Sequence, residues 1–170
     1  MIKKLLKIIF VFGLLINNTV AIEPDIFVQS TVNRASKLLS ENISKEEKIK
    51  QLKLIAKDTV DIKGIGYYTL GAARKSLGDA DKAKYSKLFE EYFLKSFSSR
   101  LAEYTNPEID VFSKDVLNEK YTIVNSVLKA TNERPEIKID WRIYTKDPEK
   151  PLIRDLIIEG LSLARTQKEE

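Results

Sequence analysis

Residues 137–144, Ile137-Lys138-Ile139-Asp140-Trp141-Arg142-Ile143-Tyr144, decide the architecture. Four bulky apolar residues alternate with Lys138, Asp140, Arg142 and Tyr144. A period of two puts each set on its own face of a strand, one face towards a core and the other towards water. Turn signals bound the segment, Arg134-Pro135 before it and Asp147-Pro148 to Pro151 after it. Outward from there, residues 121–129 are rich in Thr, Val and Ile and predict a second strand, and residues 109–116 a third. Residues 152–163 predict a long fourth strand with bulky residues on both faces, hence covered on both sides.

Upstream of Asn106-Pro107 the pattern changes to a helical one. Asp25 is placed to cap a helix through about residue 39, with Ile26, Val32, Ala35 and Leu39 at helical spacing. Ser44-Lys45-Glu46-Glu47 forms a capping box, and the helix it opens carries Ile49, Leu52, Ile55 and Ala56 on one side. Asp61 starts a third helix through Leu70, in which Gly64 and Gly66 cost helix stability and signal close backbone packing. Asp79 caps the longest helix, residues 80–104. Its apolar positions Ala83, Leu88, Phe89, Tyr92, Phe93, Phe97, Leu101 and Tyr104 make one broad aromatic face. Such a face reads either as core packing or as the wall of a ligand cavity, and the spacing leaves both open. Helices followed by strands give an α+β class, a helical layer packed on a twisted antiparallel sheet of about four strands.

The first 21 residues stand apart. Lys3, Lys4 and Lys7 precede an apolar run from Ile8 to Ile16, then Asn17-Asn18 and the small-residue exit Thr19-Val20-Ala21. This is the layout of a secretory leader cleaved after Ala21, since a spanning helix needs roughly 20 apolar residues. The chain carries 29 Lys and Arg against 25 Asp and Glu, net +4, but three lysines lie in the leader. From Ile22 onward 26 basic residues face 25 acidic ones. The basic field that nucleic-acid binding requires is therefore not expected.

There is no cysteine and no histidine. An exported domain without disulfides relies on its core alone. Without a cysteine, a lipid-modified tether at the leader exit is not expected either. Triads that use imidazole are excluded, and so is an imidazole-rich zinc site. Gly160-Leu161-Ser162-Leu163-Ala164 resembles a nucleophile elbow, but Ala164 replaces the last glycine and no imidazole can activate Ser162. Gly64-Ile65-Gly66 lacks the further glycines and lysine of a phosphate loop. Carboxylates remain for acid–base work. Asp140 and Asp155 are the candidates in an enzymatic reading, although their alternation with apolar neighbours points both towards solvent. A third reading is an adaptor that binds only proteins through the helical face.

Four segments in order carry a family resemblance: Asp61-Ile-Lys-Gly-Ile-Gly-Tyr67-Tyr-Thr-Leu70-Gly71; the aromatic helix Tyr85…Leu88-Phe89…Tyr92-Phe93…Tyr104; Ile137-Lys-Ile-Asp-Trp141-Arg142; and Asp155-Leu-Ile-Ile-Glu159-Gly160-Leu161-Ser162-Leu163. Together with the leader they resemble the MlaC-like periplasmic component of intermembrane phospholipid transport, also described as a toluene-tolerance auxiliary protein. The resemblance spans nearly all of residues 22–170 as one lipid-binding domain. It implies a cystatin/NTF2-like arrangement with a deep apolar cavity for phospholipid acyl chains, no cofactor and no enzymatic activity. It also implies two partners, an outer-membrane lipoprotein complex and an inner-membrane ABC transporter. The family continues past the Glu-Gly-x-Ser-x motif into a further helix, whereas here the sequence reaches Glu170 just as a helix begins at about Ala164.

A carrier of this kind must enclose its cargo. At about 0.8 kcal/mol per methylene, a tail of roughly 16 carbons costs on the order of 13 kcal/mol in water. The lining residues that follow are Tyr67, Leu70, Leu88, Phe89, Tyr92, Phe93 and Phe97 from the helices. Val124, Trp141, Ile143, Leu156 and Ile158 line it from the sheet. Gly64, Gly66, Gly71, Ala72 and Ala73 are expected to form a neck, and Arg74, Lys75 and Arg142 are candidate phosphate neighbours.

Overall fold

The computed structural model describes residues 21–169. The leader reading falls on residues 1–20, outside the described residues. Five α-helices, α1 Pro24–Ser40, α2 Lys45–Thr59, α3 Ile62–Thr69, α4 Asp79–Leu101 and α5 Leu163–Glu169, accompany five strands, β1 Ile109–Asn118, β2 Tyr121–Leu128, β3 Ile137–Tyr144, β4 Leu152–Ile158 and β5 Leu161–Ser162. A short 3-10 helix, Gly71–Lys75, links α3 to α4. The strands form one antiparallel sheet in chain order. The α+β architecture with a helical layer on an antiparallel sheet is thus as expected, with a fifth, two-residue strand.

That fifth strand corrects the long fourth one. Glu159 and Gly160 both have positive φ, +48° and +82°, the backbone signature of a two-residue type I′ hairpin. The chain reverses there, Ile158 pairs with Leu161, and α5 begins at Leu163. A second irregularity sits between Arg142 and Ile143 of β3, which pair with Asp155 and Ile153, so that Arg154 is the extra residue of a bulge. The bulge keeps Ile153, Leu156 and Ile158 in register with Ile143, Trp141 and Ile139 on the inner face.

The helix starts follow local chemistry. Ser44 Oγ accepts from the Glu47 backbone N–H at 3.2 Å, while the Glu47 carboxylate takes Gln51 and Lys50 instead of closing the box. Asp61 Oδ1 accepts from Gly64 N–H at 2.8 Å. Two expected caps are displaced by one or two residues. Glu23 stands at the N-cap of α1, with Pro24 supplying the preset φ of a first helical residue. Gly78 stands at that of α4, with Asp79 in its first turn.

Asp25 is instead a tie between layers. Its carboxylate accepts from Lys114 Nζ of β1 at 2.7 Å, and Lys114 also holds Glu23. The hydrogen bond from Lys114 holds the Asp25 carboxyl below its ordinary 3.8. The same contacts with Asp25 and Glu23 raise the Lys114 ammonium above 10.5.

The core joins both layers. Val28 and Val32 of α1, Ile62 and Ile65 of α3, and Phe89 and Leu94 of α4 meet Val124, Leu128, Ile139, Trp141, Ile143 and Ile153 of the sheet. The buried Trp141 indole donates to Ser126 Oγ at 2.8 Å, which donates to the Ile139 carbonyl at 2.9 Å. A polar group is thereby carried into the core without an orphaned donor. A satellite cluster of Leu38, Leu39 and Leu52 ties α1 to α2.

Asp155 corrects a further expectation, because its side chain is buried rather than solvated. Ser162 Oγ donates to Asp155 Oδ2 at 2.6 Å, the Ala164 N–H donates to Oδ1 at 2.9 Å, and Arg142 Nη1 lies 3.7 Å away. Ser162 Oγ in turn accepts the Arg165 N–H at 3.1 Å. The apparent elbow serine is therefore the N-cap of α5, and Asp155 is the anchor that holds the cap to β4. Asp140 is held by Asn125 Nδ2 at 2.9 Å.

Two measurements follow from these ties. Asp155→Ala leaves the α5 start and Arg142 unpaired and should lower urea-unfolding stability by about 3 kcal/mol, Ser162→Ala by about 1 kcal/mol. The Asp25–Lys114 contact stabilises while both groups are charged. Its Asp25 part is complete above pH 3.8 and is lost as pH falls through the depressed folded value. Its Lys114 part is complete below pH 10.5 and is lost as pH rises through the raised folded value. Lys114→Met should therefore lower the melting temperature at neutral pH, with the deficit shrinking towards either extreme.

Candidate functional site

Tyr85, Phe89, Phe93 and Phe97 recur every four residues and stack along one side of α4 as their spacing dictates. Successive ring centroids lie 5.9, 6.2 and 5.3 Å apart, with interplanar angles of 22°, 27° and 16°. The row meets the inner face of the sheet in one apolar cluster that includes Val124, Ile139, Trp141 and Ile143, with Leu156 packed against it. The backbone of α4 is not otherwise close to the sheet. α4 packs chiefly on α2 and α3, α1 covers β1 and β2, and α3 and α5 lean on β4. α4 therefore meets the sheet through side chains, Phe89 and Leu94 in the buried cluster and Tyr85, Phe93 and Phe97 packed against it, rather than by close backbone approach.

The expected lining residues divide into three groups. Phe89, Val124, Trp141 and Ile143 are buried at the centre. Phe93, Phe97, Leu156, Ile158, Tyr67 and Leu70 are half-buried around it. Leu88 and Tyr92 are 54% and 52% exposed, because a residue one position before or three after Phe89 is rotated around the helix to its outer flank. Tyr92 still touches Phe89, centroid to centroid 6.5 Å. Residues absent from the expected set, Val28 and Val32 on α1 and Ile139 on β3, belong to the same cluster. The four-residue spacing of the two valines and the alternation of β3 were the available signals.

The small residues do not assemble a neck. A Cβ on Gly64 would lie 2.4 Å from the Arg154 guanidinium carbon, and one on Gly66 would lie 2.8 Å from Phe89 Cδ1. Gly64 makes room for the 2.8 Å ion pair between Arg154 and Asp61, and Gly66 for the Phe89 ring. Ala72 and Ala73 are exposed. Of the three phosphate candidates, Arg142 lies against Asp155 on the opposite face of the sheet, while Arg74 and Lys75 are exposed in the 3-10 helix. Two surface depressions of about 430 and 360 Å³ flank α1, and no α4 residue lines either.

Chemically, the arrangement buries apolar surface. The central cluster is predominantly apolar, with the Ser126 hydroxyl buried against the Trp141 indole. Among the described residues no group of His, Cys, Asp and Glu is placed to hold a metal ion.

Residues 29–170 match the MlaC protein family. The chain belongs to the MlaC family. A solved structure of a phospholipid-binding protein from Ralstonia solanacearum, in complex with a phospholipid, has the same fold, with a TM-score of 0.72 at 15% identity over 87% of this chain and 84% of that one. As in other parts of this MlaC-family chain, the Gly66–Phe89 contact is decided by tertiary packing. Gly66→Ala gains up to about 1 kcal/mol of helix propensity but displaces a packed ring at about 1–3 kcal/mol. A net loss is expected by thermal denaturation, partly restored when Phe89→Leu is added.

Proposed function

We propose that this MlaC-family chain is a phospholipid carrier whose acyl chains lie between the α4 aromatic row and the inner face of the sheet. The observation that carries the reading is the aromatic span. Where two layers are joined by ring side chains, a tail can take the place of ring–sheet contacts without breaking any backbone hydrogen bond. Burial on both sides of such a tail recovers most of the roughly 13 kcal/mol that its exposure would cost. The phospholipid held by the Ralstonia protein of like fold supports this assignment.

Exchange with a membrane is then nearly balanced in its hydrophobic part, since tails are dry in both places. A few kcal/mol of differential binding on docking are enough to set the direction. Family membership and the leader together support a periplasmic location after cleavage behind Ala21, with residues 22–170 as one lipid-binding domain. They also support a shuttle between an outer-membrane lipoprotein complex and an inner-membrane ABC transporter. Asp155 is committed to holding α5, which leaves no free carboxylate at that position for an acid–base role.

Native mass spectrometry of the purified protein should show co-purifying phospholipid. Phe93→Glu, at a half-buried position of the row, should abolish that lipid while circular dichroism retains the folded spectrum. Strictly lipid-free wild-type protein from a lipid-rich host would overturn the proposal. So would lipid retained at wild-type levels in folded Phe93→Glu.

A further inference from the structure

We propose that the corner built by α3, the 3-10 helix and α5 is a docking surface for an anionic lipid bilayer. Lys63, Arg74, Lys75, Arg165 and Lys168 are all exposed there. None of them makes an ion pair among the described residues, whereas Lys45, Lys57, Lys114 and Lys129 elsewhere each hold a carboxylate. Aromatic rings take that place for two of them. Lys63 Nζ lies 5.7 Å over the Tyr67 ring and Lys168 Nζ 5.3 Å over the Tyr68 ring.

The residues converge because α5 packs on α3. Gly71 has φ +54°, and a Cβ there would come within 3.2 Å of Lys168 Cε. Lys168 is thus brought to the start of the segment that carries Arg74 and Lys75. The nearby carboxylates are largely committed: Asp61 to Arg154, Asp79 to Lys82 and Asp155 within the fold. Among the described residues, Asp81, Glu159 and Glu169 remain against five basic side chains. Exposed apolar groups lie on or next to the same elements, Tyr68 of α3 at 43%, Leu163 of α5 at 38% and Leu161 of the adjoining β5 at 72%.

Lysine and arginine beside tyrosine and aliphatic side chains match the headgroup–acyl boundary. The charges meet anionic headgroups, and the leucines and tyrosine enter the layer beneath. The corner also adjoins the aromatic row. Thr69 and Tyr85 hydroxyls are hydrogen-bonded at 2.7 Å, and Gly66 abuts Phe89. Docking here would set the start of the row against the bilayer. That consequence rests on the carrier reading, but docking itself does not.

The test is flotation of protein, expressed from the full chain, with vesicles of phosphatidylcholine alone and of phosphatidylcholine with phosphatidylglycerol. Binding only to the anionic vesicles, falling as salt rises, is expected. Each basic residue removed should weaken it about fivefold, so Arg74→Glu/Lys75→Glu/Lys168→Glu should lose at least ~100-fold. Lys84→Glu/Lys87→Glu/Lys95→Glu makes the same charge change on the exposed side of α4 and should retain most of the binding. Circular dichroism melts confirm that both variants fold. Equal binding to neutral vesicles, or equal loss in the two variants, would overturn the proposal. Binding to neither vesicle would do so as well, and would assign the corner to an acidic protein surface. Co-purified lipid, measured in parallel on the same preparations, reports on carriage separately. The triple variant of the corner should lose vesicle binding and keep its lipid, whereas Phe93→Glu should do the reverse.

Discussion

The structure depends on the apolar cluster in which α4 side chains meet the inner face of the sheet. α4 lies on α2 and α3, and it shares one apolar cluster with Val124, Trp141 and Ile143 of the sheet through buried Phe89 and Leu94, with Phe93 and Phe97 packed against that cluster. Rings suit this task because each buries a large apolar area with few rotatable bonds. A layer joined in this way is separable in principle without disturbing hydrogen-bonded backbone. An aliphatic core with helices seated directly on strands would lack that property. The other helices do sit close to the sheet, α1 on β1 and β2 and α3 and α5 on β4.

Charge and polar contacts stabilise this arrangement at its edges. Asp61 begins α3, bonds Arg154 of β4 and is met by the Ile153 carbonyl, which accepts the Asp61 N–H at 2.9 Å. Arg154 also lies over the Tyr144 ring, 5.2 Å from its centroid. Gly64 is the residue that leaves space for the guanidinium. At the next residue of β4, buried Asp155 gathers Ser162, Ala164 and Arg142. A buried carboxylate is tolerated when several donors satisfy it, and its removal is costly because those donors lose their partner. Both anchors bring a helix start to the same strand, which fixes α3 and α5 against each other. The exposed basic corner is a by-product of that packing, since its residues come from segments nearly 100 positions apart.

Much of the fold was legible in the order of residues. The alternation of 137–144 is reproduced in a β3 whose Ile139, Trp141 and Ile143 are buried and whose intervening residues are not. The cap signals at Ser44 and Asp61 are used. The candidate site was legible in part. The four-residue spacing of Phe89, Phe93 and Phe97 marks the face of α4 that packs inward, whereas spacings of three and four also admit Leu88 and Tyr92, whose rotation around the helix leaves them exposed. The glycines suggest a neck from sequence alone, which shows that space is needed without showing what fills it. Arg154 and Phe89 fill it.

By itself, the sequence determined the class of each local element, the α+β order, the absence of thiol and imidazole chemistry and the apolar character of the central face. These follow from periodicity, capping and composition, which are local or additive. Only the tertiary structure decided that residues 152–163 reverse at Glu159-Gly160, that Asp155 turns inward and that Ser162 caps a helix. It alone decided which flank of α4 faces the sheet and that Lys168 comes to lie beside Gly71. Each of these depends on a bulge, a positive φ or a contact between distant segments. Such features arise when strands and helices compete for the same space, and a single run of residues carries no record of the neighbour that wins it.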